Sequence, residues 1–116
     1  MKSPIDKEVY IIEIKYDNYK ESPLDIEFID PVTGERGTKN AYPSGKGTTG
    51  SFFHPSPAIC HPCCRKAYKP NLHAQWGNVA WQLNPQVGSL TTLKGILLAI
   101  YFRISNEDEY AGRMHA

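Results

Sequence analysis

Apolar and polar residues alternate from Val9 to Asp17, "VYIIEIKYD", placing Tyr10, Ile12, Ile14 and Tyr16 on one face and Glu13 and Lys15 on the other. That period of two predicts a half-buried strand. Leu24 to Ile29, "LDIEFI", repeats the pattern with Leu24, Ile26 and Phe28 inward and Asp25 and Glu27 on a solvated face. The short connection from Asn18 to Pro23 predicts that the two strands pair antiparallel. "DPVTG", Asp30 to Gly34, carries turn chemistry, since Pro31 fixes φ and Gly34 tolerates a positive one.

Periodicity then lapses. Between Glu35 and Pro57, glycine recurs at 37, 45, 47 and 50 and proline at 43, 55 and 57, which predicts a long loop with a short strand at Ser51 to His54. Loops of this length within a domain tend to carry function. Asn71 to Leu83 places Leu72, Trp76, Val79, Ala80 and Leu83 at helical spacing, with Asn71 as N-cap and Asn84-Pro85 as the stop. The spacing predicts one amphipathic helix, with Trp81 off its apolar stripe and Gly77 costing about 1 kcal/mol relative to alanine. "ILLAIYFRIS", Ile96 to Ser105, alternates with apolar residues on both faces, the pattern of a central strand. The preceding "SLTTLKG" predicts a single helical turn capped by Ser89 and ended by Gly95, and residues 106–116 read as a polar tail.

At 116 residues, with 41% hydrophobic and 22% charged, the chain fits one globular domain over 1–116, with 35–70 as a loop and Cys/His segment. The fold class expected is α+β: a small single domain of mainly antiparallel sheet, one amphipathic helix packed on it, and a long Gly/Pro-rich loop. A net charge of +1 supplies no molecule-wide field for nucleic acid, so a protein partner is favoured, with basic residues near the loop at Lys39, Lys46, Arg65, Lys66 and Lys69. No apolar run is long enough for a signal-peptide core or a membrane span, so no membrane contact and a cytoplasmic setting are expected.

The three cysteines lie within "CHPCCRK", Cys60 to Lys66. Three chemistries compete for them. Cys60-x-x-Cys63 has the spacing of a two-thiolate metal knuckle, and tetrahedral zinc needs two further ligands. His54, six positions before Cys60, and His73, ten after Cys63, complete the most economical set, with Cys64 as a substitute ligand. A structural zinc would also tie down a loop-rich middle third. The second chemistry is redox: "CHPCCRKAYKP" resembles the thioredoxin-type C-x-P-C active site over these eleven residues. That resemblance implies an exposed Cys60 at a helix N-terminus, with Cys63 resolving a mixed disulfide. The family's motif follows a buried parallel strand, however, whereas "SFFHPSPAI" is short and broken by proline. The third is inert, with the cysteines packed as small hydrophobes.

Other signatures fail on context. "GKGTTG", Gly45 to Gly50, matches G-x-G-x-x-G but lacks the flanking strand and helix of a dinucleotide site, leaving at most a glycine loop that wraps an anion near Lys46. His54-Pro55-Ser56 lacks the glutamate of a nucleobase deaminase, and Ile59 stands where that enzyme has proline before its first cysteine. A cysteine nucleophile served by His54 or His73 has no third group to orient it. The reading that results is a non-enzymatic interaction protein with a Cys/His zinc site, no catalytic residue assigned, and a partner surface built from Lys46, Phe52, Phe53, Arg65, Lys66 and Tyr68. Two alternatives accompany it: a thiol-dependent redox protein or small cysteine enzyme using the CHPCC segment, and a self-assembling subunit, which would make the chain a homo-oligomer.

Overall fold

The computed structural model describes residues 1–46, 52–70, 72–88 and 90–115. Strands β1 (Ile11–Lys15) and β2 (Asp25–Ile29) pair antiparallel with Ile12 opposite Phe28 and Ile14 opposite Ile26, as their alternation predicts. Leu24, Ile26 and Phe28 are buried, while Tyr16 at the frayed end of the first strand is not. The "DPVTG" turn forms: the Asp30 carboxylate accepts the Val32 N–H at 2.8 Å and Gly34 takes a φ of +76°. Gly37 is equally constrained, at a φ of +71° that residues with a Cβ rarely adopt, and a Cβ there would also displace the Glu27 carboxylate.

Within the loop region lie a 3-10 turn at Lys39–Ala41 and three short strands: β3 (Pro43–Gly45), β4 (Phe53–His54) and β5 (Ala58–Ile59). The predicted strand at 51–54 is thus present at Phe53–His54, Ser51 itself lying outside the described residues, and it pairs antiparallel with β5. The C-terminal segment supplies helix α1 (Leu93–Ser105) and strand β6 (Tyr110–Arg113), which pairs antiparallel with β3. Among the described residues the architecture is α+β, with one helix and three two-stranded antiparallel sheets around a shared aromatic and aliphatic core.

Three elements differ from expectation. Residues 96–105 belong to α1 and not to a central strand. Their apolar residues fill both periods, but Ile96, Ile100 and Ile104 recur every four positions and bury one helical face completely. The Thr92 hydroxyl, accepting the Gly95 N–H at 3.1 Å, starts the helix, so Gly95 lies inside it and not at its end. The predicted Ser89 cap lies outside the described residues.

The helix expected over Asn71 to Leu83 is instead two 3-10 turns, Ala74–Asn78 and Trp81–Leu83, parted by an extended Val79. Of its predicted stripe, Val79, Ala80 and Leu83 are exposed and Leu72 and Trp76 only half-buried, and Trp81 is buried in their place. The indole Nε1 of Trp81 donates to the Lys20 carbonyl at 2.8 Å and its ring lies 6.1 Å from that of Tyr19. Gly77, Asn78 and Val79, weak helix formers in the middle of the segment, give little local resistance to that long-range hold. Asn71, the predicted cap, lies outside the described residues.

Residues 106–115 are not a tail. Tyr110 and Met114 are buried, and the Met114 N–H donates to the Tyr42 carbonyl at 2.8 Å. The Tyr110 hydroxyl lies 2.6 Å from that of Tyr10 and also donates to Asp6, so the C-terminal strand is bonded to the N-terminal segment. Nearby, the buried Ser3 hydroxyl donates to the Ile104 carbonyl at 2.6 Å, satisfying a carbonyl in the last turn of α1.

Candidate functional site

The Cys/His segment runs along the open edge of β2. The Cys60 N–H closes the β4–β5 hairpin on the Phe52 carbonyl at 2.8 Å. Cys64 bridges Leu24 in parallel, the Arg65 N–H donates to the Leu24 carbonyl, and a 3-10 turn follows at Arg65–Tyr68. This edge placement sends Cys63 and Cys64 into the core, both at 0% exposure, and leaves Cys60 half-buried. The Cys64 Sγ faces the Ile26 carbonyl at 3.9 Å.

Burial dominates the electrostatics. It raises the pKa of the Cys60 and Cys64 thiols and pushes that of Cys63 up to about 12, so all three carry their protons at neutral pH. A protonated thiol is a poor nucleophile. The C-x-P-C segment also opens no α-helix, since Cys64 precedes a four-residue 3-10 turn, and no dipole of useful length acts on the sulfurs.

The zinc set expected from spacing is not assembled. Among the described residues no three His, Cys, Asp or Glu side chains come together in a way that could hold an ion. The Nδ1 of His54 accepts the Ser56 N–H at 3.1 Å, and the ring of His73 stacks on Trp76 with centroids 4.0 Å apart. His61 is turned to Phe52, its Nδ1 accepts the Cys63 N–H, and burial lowers its pKa. Each of these three histidines is engaged within its own neighbourhood and Cys63 and Cys64 are packed in the core, so the four expected donors are not gathered around one point in this structure.

The six expected partner-binding residues are also committed internally. Phe52 and Phe53 are core residues, packed edge to face with centroids 5.1 Å apart, and the Arg103 guanidinium sits 5.0 Å above the Phe52 ring. Lys46 donates from Nζ to the Glu107 carbonyl at 2.6 Å, and the rest of its glycine loop, residues 47–50, lies outside the described residues. Arg65 donates to the Asp17 and Pro23 carbonyls and pairs with the Asp17 carboxylate at 3.4 Å. Lys66 pairs with Asp25 at 2.8 Å and lies 3.7 Å from Glu27, so those carboxylates hold a cation instead of forming a merely solvated face. Burial lowers the Lys66 pKa, and the Asp25 bond and charge outweigh it to leave a raised value. The Tyr68 hydroxyl donates to the Pro62 carbonyl at 2.7 Å. Arg65 and Tyr68 do line a half-polar cleft of about 510 Å³ that Val79 and Trp81 complete, but their polar groups are turned to the chain's own carbonyls.

What the sequence reading missed is the outer side of α1. Leu98 and Phe102 project opposite the buried isoleucine stripe at 58% and 60% exposure, flanked by Leu93 at 46% and Tyr101 at 44%. Two apolar hollows flank a ridge made by Leu98 and Tyr101: one of about 520 Å³ floored by Gly95 and Ala99, the other of about 460 Å³ between Leu93, Leu97 and Met1. Among the described residues, Lys94 is the one charged residue lining either hollow. The signal was in the sequence, because a segment apolar on both faces asks for burial on both, whether it forms a strand or a helix. Among the described residues, no helix is long and apolar enough to cross a membrane. No protein-family model matches the chain, and no curated protein or solved structure is significantly similar to it.

Proposed function

We propose that this chain is a non-enzymatic interaction domain that docks a protein surface through the outer face of α1. The observation that carries the reading is the cluster of Leu98, Tyr101 and Phe102 in the open, on a helix whose opposite side is already fully packed. An apolar patch of this kind on a small domain is the mark of an interface. The protonated thiols and the dispersed histidines support a structural role for the CHPCC segment, which joins β2 to the β4–β5 hairpin and positions the core beneath α1. The net charge of +1 supports a protein partner over a nucleic acid.

The test is photo-cross-linking in the expressing cell, with benzoylphenylalanine in place of Phe102 and, separately, of the exposed Lys20. Discrete protein adducts are expected at 102 and not at 20. Equal, diffuse labelling at the two positions would remove the basis for the reading.

A further inference from the structure

Resting on that reading, we propose that the occupant of the outer α1 face is a second copy of the same chain, with the two α1 helices packed antiparallel about a two-fold axis near Tyr101.

Shape is the first argument. The Leu98–Tyr101 ridge stands between two hollows of similar size, about 520 and 460 Å³, whose floors are the small residues Gly95 and Ala99 on one side and Leu93 and Leu97 on the other. Helices associate by setting ridges of one into grooves of the other. A face that carries both ridge and groove around its midpoint is complementary to itself, which is what an isologous contact requires.

Charge is the second. Lys94 lies at the N-terminal end of the face, while Glu107 and Asp108 stand just past the C-terminal end, all three exposed and without an ion pair among the described residues. The other charged residue of the helix, Arg103, is occupied with Glu109 at 3.1 Å and with the Phe52 ring. Antiparallel pairing of two copies brings each Lys94 to the other's Glu107 and Asp108, twice by symmetry. Parallel pairing would set like charges together at both ends.

Area is the third. The fractional exposures of Met1, Leu93, Leu98, Tyr101 and Phe102 amount to a patch on the order of 500 Å² per copy, so a pair buries about 1,000 Å², the lower edge of specific interfaces. A reversible dimer of micromolar dissociation constant fits that size. The acidic pair at one end of the face is also wrong for a helix lying on an anionic membrane.

Sedimentation velocity of the intact chain from micromolar to near-millimolar concentration tests this. The expected result is a concentration-dependent monomer–dimer equilibrium that Phe102→Glu weakens at least tenfold, with unchanged circular dichroism and melting temperature because the side chain touches little of its own fold. Lys94→Glu is expected to weaken the dimer as well, and combining it with Glu107→Lys and Asp108→Lys to restore it. A dimer indifferent to Phe102→Glu, or weakened by Lys94→Glu but not restored by the reversed charges, would overturn this geometry. A chain that is monomeric throughout overturns the second copy as occupant. If the cross-linker at 102 then traps a different protein, the interaction reading survives without it. If it traps nothing, or the monomer instead binds phosphatidylglycerol vesicles through Phe102, both are overturned.

Discussion

Cys63 and Cys64 are adjacent, yet neither faces water, because Cys64 lies alongside Leu24 at the edge of β2 and carries Cys63 inward with it. Desolvation disfavours a thiolate there, which is why the Cys63 pKa climbs to about 12 and those of Cys64 and Cys60 also rise. An acid whose native pKa exceeds its unfolded value of about 8.5 adds stability that is complete below that pH and is lost as pH rises toward the native value. The native protein at pH 8 is therefore expected to leave Cys63 and Cys64 unreacted with Ellman's reagent, with Cys60 reacting slowly, while guanidinium exposes all three. Stability in urea should also decline above about pH 8.5. Two thiols titrating rapidly in the folded chain would contradict the burial argument and return the redox reading to favour.

At the scale of elements, β6 offers the sharpest contrast between a tail and a strand. Tyr110 packs edge to face on Tyr10 at 6.4 Å, and its hydroxyl bonds to the Tyr10 hydroxyl and donates to the Asp6 carboxylate. Tyr110→Ala should cost about 3–5 kcal/mol in urea unfolding, as for other buried aromatics, and Tyr110→Phe about 1 kcal/mol for the lost hydroxyl. The exposed Ala111→Ser should change nothing measurable, and a flat response at all three would mean that residues 106–115 are indeed peripheral. The β1–β2 pair was legible in the sequence because its information is local: strict alternation, a short connection and the Asp30–Gly34 turn suffice. β6 was not, since its one buried side chain, Tyr110, sits beside alanine, glycine and arginine and finds a partner a hundred residues away. For α1 the burial was legible and the period was not, because apolar residues at 96, 98, 100, 102 and 104 satisfy a strand while 96, 100 and 104 satisfy a helix. The candidate site shows the same division. Spacing locates cysteines and histidines along the chain, but whether His54 and His73 turn toward them depends on the Ser56 N–H and the Trp76 ring, which no spacing encodes.

Over the whole molecule, regular structure is sparse and the parts are held by contacts between distant segments. The Met1 ammonium donates to the Tyr10 carbonyl, Ser3 to the last turn of α1, and Arg113 to Glu8 and the Val9 carbonyl, so the two ends of the described chain are fastened to each other. The middle is pinned likewise: Trp81 and Gln82 both donate to the Lys20 carbonyl, and the Tyr19 hydroxyl donates to the Thr91 carbonyl just ahead of α1. The described segments share one core, because the buried cluster draws on the first strands, the hairpin, the cysteine segment, Trp81, α1 and β6 together. Such an arrangement should unfold as one unit. Trp81 reports on the 3-10 region once Trp76→Phe removes the other of the two tryptophans, and ellipticity at 222 nm reports on α1. The two urea transitions are expected to share one midpoint and one slope. An earlier fluorescence transition would mean that residues 72–88 open as a separate, weaker unit, and that the Lys20 carbonyl holds Trp81 less firmly than the core holds α1.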